Sequence, residues 1–125
     1  ETRNATRKSL VAARRRLMDI LCNYAGYRKC VPILVFDAYR VKGAGREQET
    51  WHNLHVIYTR EAETADMFIE RTTHELAKNH RVRVVSSDGA EQIIILGNGA
   101  LRVSARAFER EVRAVEAEIR EFLDQ

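Results

Sequence analysis

The sequence predicts an α/β fold built on a mainly parallel sheet. Three short apolar runs predict its strands, at Val31–Phe36, at Leu54–Tyr58 and over residues 82–85. The first run is rich in branched residues and lacks polar alternation, which is typical of a strand covered on both faces. Amphipathic stretches with helical spacing surround these runs in the order α-β-β-α-β-α-α. We therefore expect helices to cover the sheet.

Hydrophobic spacing predicts the first helix over residues 5–25. Leu17, Leu21 and Tyr24 recur there at helical intervals, and Gly26 is a plausible stop. The buried strand at Val31–Phe36 follows this helix directly.

The middle of the chain is predicted to hold a long loop and a second helix. Residues 38–53 contain glycines and many charges without a hydrophobic period, and loops of this length are often functional. After the second strand, Thr64 can cap a helix that runs to about residue 79.

Two further helices are predicted after the third strand. Asp88 and Glu91 have capping-box spacing, which predicts a short helix over residues 88–96 that is ended by residues 97–99. The last helix is predicted over residues 104–123. Its apolar stripe consists of Phe108, Val112, Val115, Ile119 and Phe122.

Length and composition indicate one domain over residues 1–125. The chain has 125 residues, of which 45% are hydrophobic and 31% charged, and its net charge of +3 is compatible with a polyanion partner. No apolar run approaches the ~20 residues that span a bilayer, so we expect no membrane partner. Cys22 and Cys30 fit neither a zinc site nor a disulfide framework. We expect reduced thiols, without a disulfide partner, in a cytoplasmic protein.

An aspartate follows each of the three predicted strands. Asp37 comes directly after the first strand, Asp66 follows the second and Asp88 follows the third. Because the carboxyl ends of parallel strands meet at one edge of an open sheet, these side chains are expected to converge. Converging carboxylates repel one another and need a cation, and Mg²⁺ or Mn²⁺ prefers such oxygen ligands. An acidic, metal-holding pocket on a basic protein suits the cleavage of phosphodiesters.

Several motifs resemble those of a YacP-type NYN domain, a branch of the PIN-like nuclease superfamily. They cover about residues 33–110, in the order that the family has them. The matching stretches are residues 35–38, 41–43, 56–59, 61–66, 86–92 and 97–105. This resemblance implies a three-layer α/β/α PIN-like fold and divalent-metal-dependent endoribonuclease activity. It also implies single-stranded RNA as substrate and, in the best-known members, action on messenger RNA at the ribosome.

One part of the family pattern has no counterpart in this sequence. The family opens with a central strand that carries an aspartate and a Gly-Tyr-Asn motif, whereas residues 1–26 resemble the helix that follows it. We therefore expect the first strand to be absent from this chain and the domain to be N-terminally incomplete. A missing segment and a catalytically crippled fragment both explain this. We favour the first, because the strands at Val31 and Val82 would otherwise lack a partner for their backbone groups.

The resemblance implies roles for particular carboxylates. Asp37, Asp66 and Asp88 are the predicted catalytic residues and metal ligands, and Glu63 is a further candidate ligand. Each aspartate also has an ordinary structural alternative: Asp37 can start a turn, Asp66 can interact with a helix dipole, and Asp88 can cap a helix.

Basic residues are predicted to hold the RNA backbone, since Lys and Arg contacts to phosphates position a strand without reading its sequence. The candidate RNA-binding residues are Arg40, Lys42, Arg46, Ser87, Arg102 and Arg106. Trp51 and Tyr39 could stack on unpaired bases, although core packing or loop anchoring accounts for them equally well.

Two other kinds of protein compete with a nuclease. A non-catalytic RNA- or ribosome-binding module would keep the basic loop without a full set of acids. A receiver- or phosphatase-like domain also has acids at strand ends, but it usually needs a lysine after a later strand. The sequence offers no such lysine, so this alternative ranks last.

Overall fold

The structure is a computed structural model that describes residues 2–37, 48–59, 63–86, 91–97 and 102–125. Within these ranges the protein has one sheet of six strands. In chain order the strands are β1 (Val31–Phe36), β2 (Gln48–Trp51), β3 (Leu54–Tyr58), β4 (Val82–Ser86), β5 (Glu91–Leu96) and β6 (Arg102–Ser104). The helices within these ranges are α1 (Thr2–Arg28), α2 (Ala65–Leu76) and α3 (Ala105–Leu123). None of them is long and apolar enough to cross a lipid bilayer.

The sheet is mixed, with the strand order β2-β3-β1-β5-β4-β6. The β1–β3 and β4–β6 pairings are parallel, whereas β2–β3, β1–β5 and β4–β5 are antiparallel. It follows that β1, β3, β4 and β6 run in one direction, and β2 and β5 run in the other. The expectation of a mainly parallel sheet is therefore met by the direction of most strands and not by their pairing.

Strand β5 corrects the prediction of a helix over residues 88–96. Ile93, Ile94 and Ile95 are all buried, and a branched run buried on both faces suits a central strand better than a short helix. The strand lies between β1 and β4, where Leu34 pairs with Ile93 and Val84 with Ile94. The strands at Val31 and Val82 were expected to lack a backbone partner unless an earlier strand existed. This argument is therefore also wrong, because β5 pairs with both.

Helix α1 is longer than the spacing of its apolar residues predicts. Gly26 lies inside the helix and does not end it. The chain leaves the helix at Lys29, which has a left-handed φ of 56°, while the Cys30 N–H donates to the Ala25 carbonyl at 3.2 Å. This arrangement is a Schellman-type C-terminus, in which the positive φ is adopted by a lysine instead of the usual glycine.

The helices lie on both faces of the sheet, which confirms the three-layer α/β/α arrangement. Leu21 of α1 and Phe108 of α3 pack with Leu34 on one face. On the other face, Ile69 of α2 packs with Ile94. The predicted stripe of α3 is buried from Phe108 to Val115, but its last member, Phe122, is 72% exposed because it lies beyond the end of the sheet-facing segment.

Side-chain oxygens cap the second and third helices. Thr64 Oγ1 accepts from the Met67 N–H at 3.1 Å, as the sequence predicts, and Ser104 Oγ accepts from the Ala107 N–H at 3.1 Å. Each bond satisfies one of the orphan N–H groups of a helix N-terminus, so both helices begin at defined points.

The part of the predicted loop that the structure describes forms a hairpin. Residues 38–47 lie outside the described ranges, and Gln48–Trp51 forms an edge strand against β3. Trp51 holds this hairpin on α1: its ring packs on the core, and its Nε1–H donates to Asp19 Oδ1 at 3.2 Å. Cys22 adds a thiol hydrogen bond to the Trp51 carbonyl at 3.4 Å.

Both cysteines are free thiols. Cys30 is buried at the start of β1 and Cys22 is half-buried on α1. Burial raises the pKa of each thiol above its ordinary value, so the protonated form is favoured at neutral pH.

A charged network ties α1, β4 and α3 together near the start of β4. The guanidinium of Arg83 donates to both carboxylate oxygens of Glu111, with Nη1 at 2.7 Å from Oε2, and the Tyr24 hydroxyl donates to Oε2 at 3.1 Å. Hydrogen bonds from Arg83 hold the pKa of Glu111 below its ordinary value of 4.5. Burial and the adjacent Glu111 carboxylate raise the pKa of Tyr24.

We predict that Glu111→Gln lowers the free energy of unfolding by about 1 kcal/mol at pH 7, a modest loss because solvent screens the partly exposed carboxylate. Since the folded state lowers the pKa of Glu111, its contribution is complete above pH 4.5 and is lost as the pH falls through the lower folded pKa. Thermal melts of both proteins between pH 7 and pH 3 should therefore converge at the acid end. Glu121→Gln, an exposed change on the same helix, is the control. A difference that stays constant down to pH 3 would contradict this account.

Candidate functional site

The carboxyl ends of β1, β3, β4 and β6 lie at one end of the sheet. The last residue of β1, Phe36, pairs with Tyr58 at the end of β3, and its carbonyl accepts from the Thr59 N–H at 3.0 Å. The antiparallel β5 begins at this same end, because Phe36 also pairs with Glu91. We call this end the acidic edge and define it by Asp37, Thr59, Asp66 and Gln92.

Asp37 reaches the acidic edge by directly following β1. The five preceding residues of the strand are buried, and Asp37 itself is half-buried. A carboxylate in this position has its backbone fixed by the central strands while its side chain is partly accessible.

Asp66 reaches the acidic edge from α2. It lies in the first turn of the helix and is exposed, in a position where the helix dipole stabilises a negative charge. The side-chain Nε2 of Gln92 donates to Asp66 Oδ1. Because Gln92 pairs with Val35, two residues before Asp37, this bond brings Asp66 to the same end of the sheet as Asp37.

Glu63 is engaged by a neighbouring cation. Its Oε1 lies 2.8 Å from Nη2 of Arg71, whose guanidinium carbon is 5.6 Å from the ring centre of Phe68. A cation that recruited Glu63 would have to compete with Arg71 for the carboxylate.

Several of the predicted site residues lie outside the described ranges, so their roles remain predictions. They are Tyr39, Arg40, Lys42, Arg46, Ser87 and Asp88. Arg102 in β6 and Arg106 in the first turn of α3 are both exposed. Because Ser104 pairs with Ser86 at the end of β4, Arg106 lies near the same end of the sheet as the acidic edge, whereas Arg102 pairs with Val84, further back along β4.

The donor atoms of the acidic edge suit a hard cation. Asp37 and Asp66 contribute carboxylate oxygens, the kind of ligand that Mg²⁺ and Mn²⁺ prefer. Within the described ranges, no three His, Cys, Asp or Glu side chains are grouped so that they could hold a metal ion. The predicted further ligand, Asp88, lies outside those ranges.

Two residues of this region were not predicted as functional. Arg14 of α1 places its guanidinium carbon 5.7 Å from the ring centre of Phe36, close to the end of β1. Helical spacing assigned it only to the polar face. Gln92 is 7% exposed. In the sequence, the signal that could have pointed to it is its position as a polar residue directly before a run of three isoleucines.

Trp51 is occupied by contacts within the protein. Besides its bond to Asp19, its ring carries the Arg15 guanidinium carbon 5.8 Å from its centre and contacts His52 edge-on at 5.2 Å. These contacts fit the anchoring alternative better than base stacking.

The geometry of the fold agrees with the comparisons with known proteins. The chain matches the model of the YacP-like NYN domain over residues 1–125, and it belongs to this family. Membership of the family supports a nuclease-like, RNA-related role.

A sequence and a crystal structure from Bacillus subtilis, both named YacP, extend this result. The chain is 42% identical over 112 residues to the uncharacterized protein YacP of strain 168, covering 89% of this chain and 65% of the relative. It resembles the crystal structure of Rae1 (YacP) with a TM-score of 0.70 and 34% identity, covering 90% of this chain and 65% of that one. The α/β fold with its mixed sheet and three helices matches that structure. The chain thus spans 65%, slightly less than two thirds, of the length of YacP in both comparisons.

We predict that Trp51→Phe lowers the free energy of unfolding by about 1 kcal/mol through loss of the bond to Asp19, and leaves affinity for single-stranded RNA unchanged. Chemical denaturation and filter binding measure the two effects. Because phenylalanine can still stack on a base, Trp51→Leu is measured beside it: a lost base stack would weaken RNA binding by this second variant by about 1–3 kcal/mol, and a loss of that size would show that Trp51 contacts RNA.

Proposed function

We propose that this domain is a divalent-metal-dependent endoribonuclease that hydrolyses phosphodiester bonds of single-stranded RNA. The observation that supports it most strongly is that Asp37, which follows β1, and Asp66, which contacts Gln92 of the adjacent β5, belong to the same end of the sheet. Carboxylates at the carboxyl ends of strands, in a member of the NYN family, suit a divalent cation that assists phosphodiester cleavage.

The proposed cofactor is Mg²⁺ or Mn²⁺, held by Asp37, Asp66 and Asp88, with Glu63 as a further ligand. When bound, such an ion supplies a water of lowered pKa and neutralises charge on the phosphate oxygens. The protein's own contribution is to place the carboxylates. Asp37 is fixed by the backbone of β1, and Asp66 by the first turn of α2 and the hydrogen bond from Gln92.

Cations around the acidic edge are proposed to bind the RNA backbone. Arg14 and Arg106 lie near this end of the sheet, and Arg102 lies on β6 opposite Val84; Arg102 and Arg106 are exposed. The other proposed RNA-binding residues are Arg40, Lys42, Arg46 and Ser87. Phosphate contacts of this kind bind without sequence readout, so affinity is expected to fall steeply with salt.

Messenger RNA on the ribosome is the proposed natural substrate, in the cytoplasm. The net charge of +3 supports association with a polyanion in general. The link to the ribosome rests on the resemblance of the sequence motifs to those of ribosome-associated endoribonucleases.

We predict that Asp66→Asn and Asp37→Asn each reduce cleavage of a labelled single-stranded RNA by more than about 100-fold, because each removes a charge that holds the cation. Both variants should keep the circular dichroism spectrum of the wild type, since both residues are accessible at the rim of the sheet. Glu70→Gln, an exposed change on the same helix as Asp66, should cleave normally. EDTA should stop the reaction, and Mn²⁺ should restore it.

The same assay separates the nuclease from the binding module. Cleavage that survives Asp66→Asn, or that proceeds in EDTA, would refute the proposed mechanism. RNA binding without turnover would instead favour the non-catalytic alternative, which is supported by the lack of a three-ligand group within the described residues.

A further inference from the structure

The side-chain amide of Gln92 is buried, and only one of its two polar atoms forms a hydrogen bond within the described residues. The residue is 7% exposed, and its Nε2 donates to Asp66 Oδ1. Its Oε1 is buried without a hydrogen-bond partner among the residues that the structure describes. The orientation of the amide follows from its partner, because a carboxylate accepts hydrogen bonds and only the nitrogen can donate one.

Stability does not account for a glutamine in this position. The next three residues of β5, Ile93 to Ile95, are buried and apolar, and a buried acceptor without a partner is destabilising. An apolar side chain of similar length would avoid that cost. Among the described residues, the polar group forms one side-chain hydrogen bond, to Asp66, and this contact is the role that we assign to it.

That contact joins a rigid element to an exposed side chain. The backbone of Gln92 lies in the centre of the sheet, paired with Val35 of β1. Asp66 is exposed in the first turn of α2. Since a carboxylate accepts at both of its oxygens, holding Oδ1 restricts the rotation of the Asp66 side chain without consuming its capacity to bind a cation.

We propose that Gln92 is the positioning residue of Asp66: its amide holds the carboxylate in the orientation in which it binds the divalent cation of the acidic edge. The binding of a cation rests on the proposed function, whereas the hydrogen bond that holds Asp66 does not. Loss of a group that orients a metal ligand in this way typically lowers metal affinity or activity by about 10–100-fold.

The test replaces Gln92 with methionine, which has a similar length and cannot donate a hydrogen bond. In the full chain, we expect Gln92→Met to weaken Mn²⁺ binding about 10-fold, as measured by electron paramagnetic resonance. The same variant should melt at the wild-type temperature or above it, because the buried acceptor is gone. Ile94→Val, on the same strand and facing the same helix, should bind Mn²⁺ like the wild type.

A positioning role predicts weaker Mn²⁺ binding without a loss of stability, whereas a purely structural role predicts a loss of stability with normal Mn²⁺ binding. A Gln92→Met protein that melts lower and binds Mn²⁺ normally would show that the bond only docks α2 on the sheet, and would overturn the proposal. In an Asp66→Ala background, Gln92→Met should cause no further loss of Mn²⁺ affinity. A further 10-fold loss there would show that Gln92 acts independently of Asp66 and would also overturn it.

A metal-free measurement separates this inference from the proposed function. In the ¹⁵N NMR spectrum, Asp66→Ala should shift the side-chain amide signal of Gln92, whereas Glu70→Ala should not. An unchanged signal would refute the hold on Asp66 whether or not the protein cleaves RNA. A shifted signal in a protein that binds no Mn²⁺ would refute the metal-dependent function and leave the hold on Asp66 in place.

Discussion

The pairing of β5 with both β1 and β4 is the interaction on which the rest of the structure depends. It supplies backbone partners to two strands that are buried on both faces, and unpaired N–H and C=O groups in such a place are costly. It also joins the two parallel pairs, β1–β3 and β4–β6, into one sheet. The three layers can form only because this sheet offers a continuous apolar surface to α1 and α3 on one side and to α2 on the other.

The direction of β5 also shapes the acidic edge. Parallel strands bring only their carboxyl ends to the edge where ligands bind, so the side chains found there usually follow the strands. An antiparallel strand in the middle brings its amino end to the same place. Gln92, at the start of β5, can therefore stand inside the sheet and still contact Asp66 on the helix above it. The site thus combines Asp37 after a strand and Asp66 on a helix with Gln92 from the interior of the sheet.

Local patterns predicted the parts of the fold that local forces determine. Strands β1 and β3 have the predicted bounds, and Thr64 caps α2 as expected. The short edge strands β2 and β6 were missed because pairing with a neighbour, and not their own polar sequences, makes them extended. Strand β5 was taken for a helix because capping-box spacing cannot tell a buried strand from a short helix. In the site, strand ends predicted that Asp37 lies at the carboxyl end of the sheet, where the structure has it, but a contact between a strand and a distant helix, such as that of Gln92 with Asp66, leaves no periodic signal.

The sheet ends in short strands on both sides. Strand β2 has four residues and β6 has three, and the side chain of Arg102 on β6 is exposed to solvent. A long, flat border would offer a row of free peptide groups to another polypeptide and invite aggregation. Because both edge strands are short and one of them carries a guanidinium, they offer few free peptide groups with which another polypeptide could pair. The short edge strands thereby keep the branched, apolar central strands from serving as a template for fibril growth.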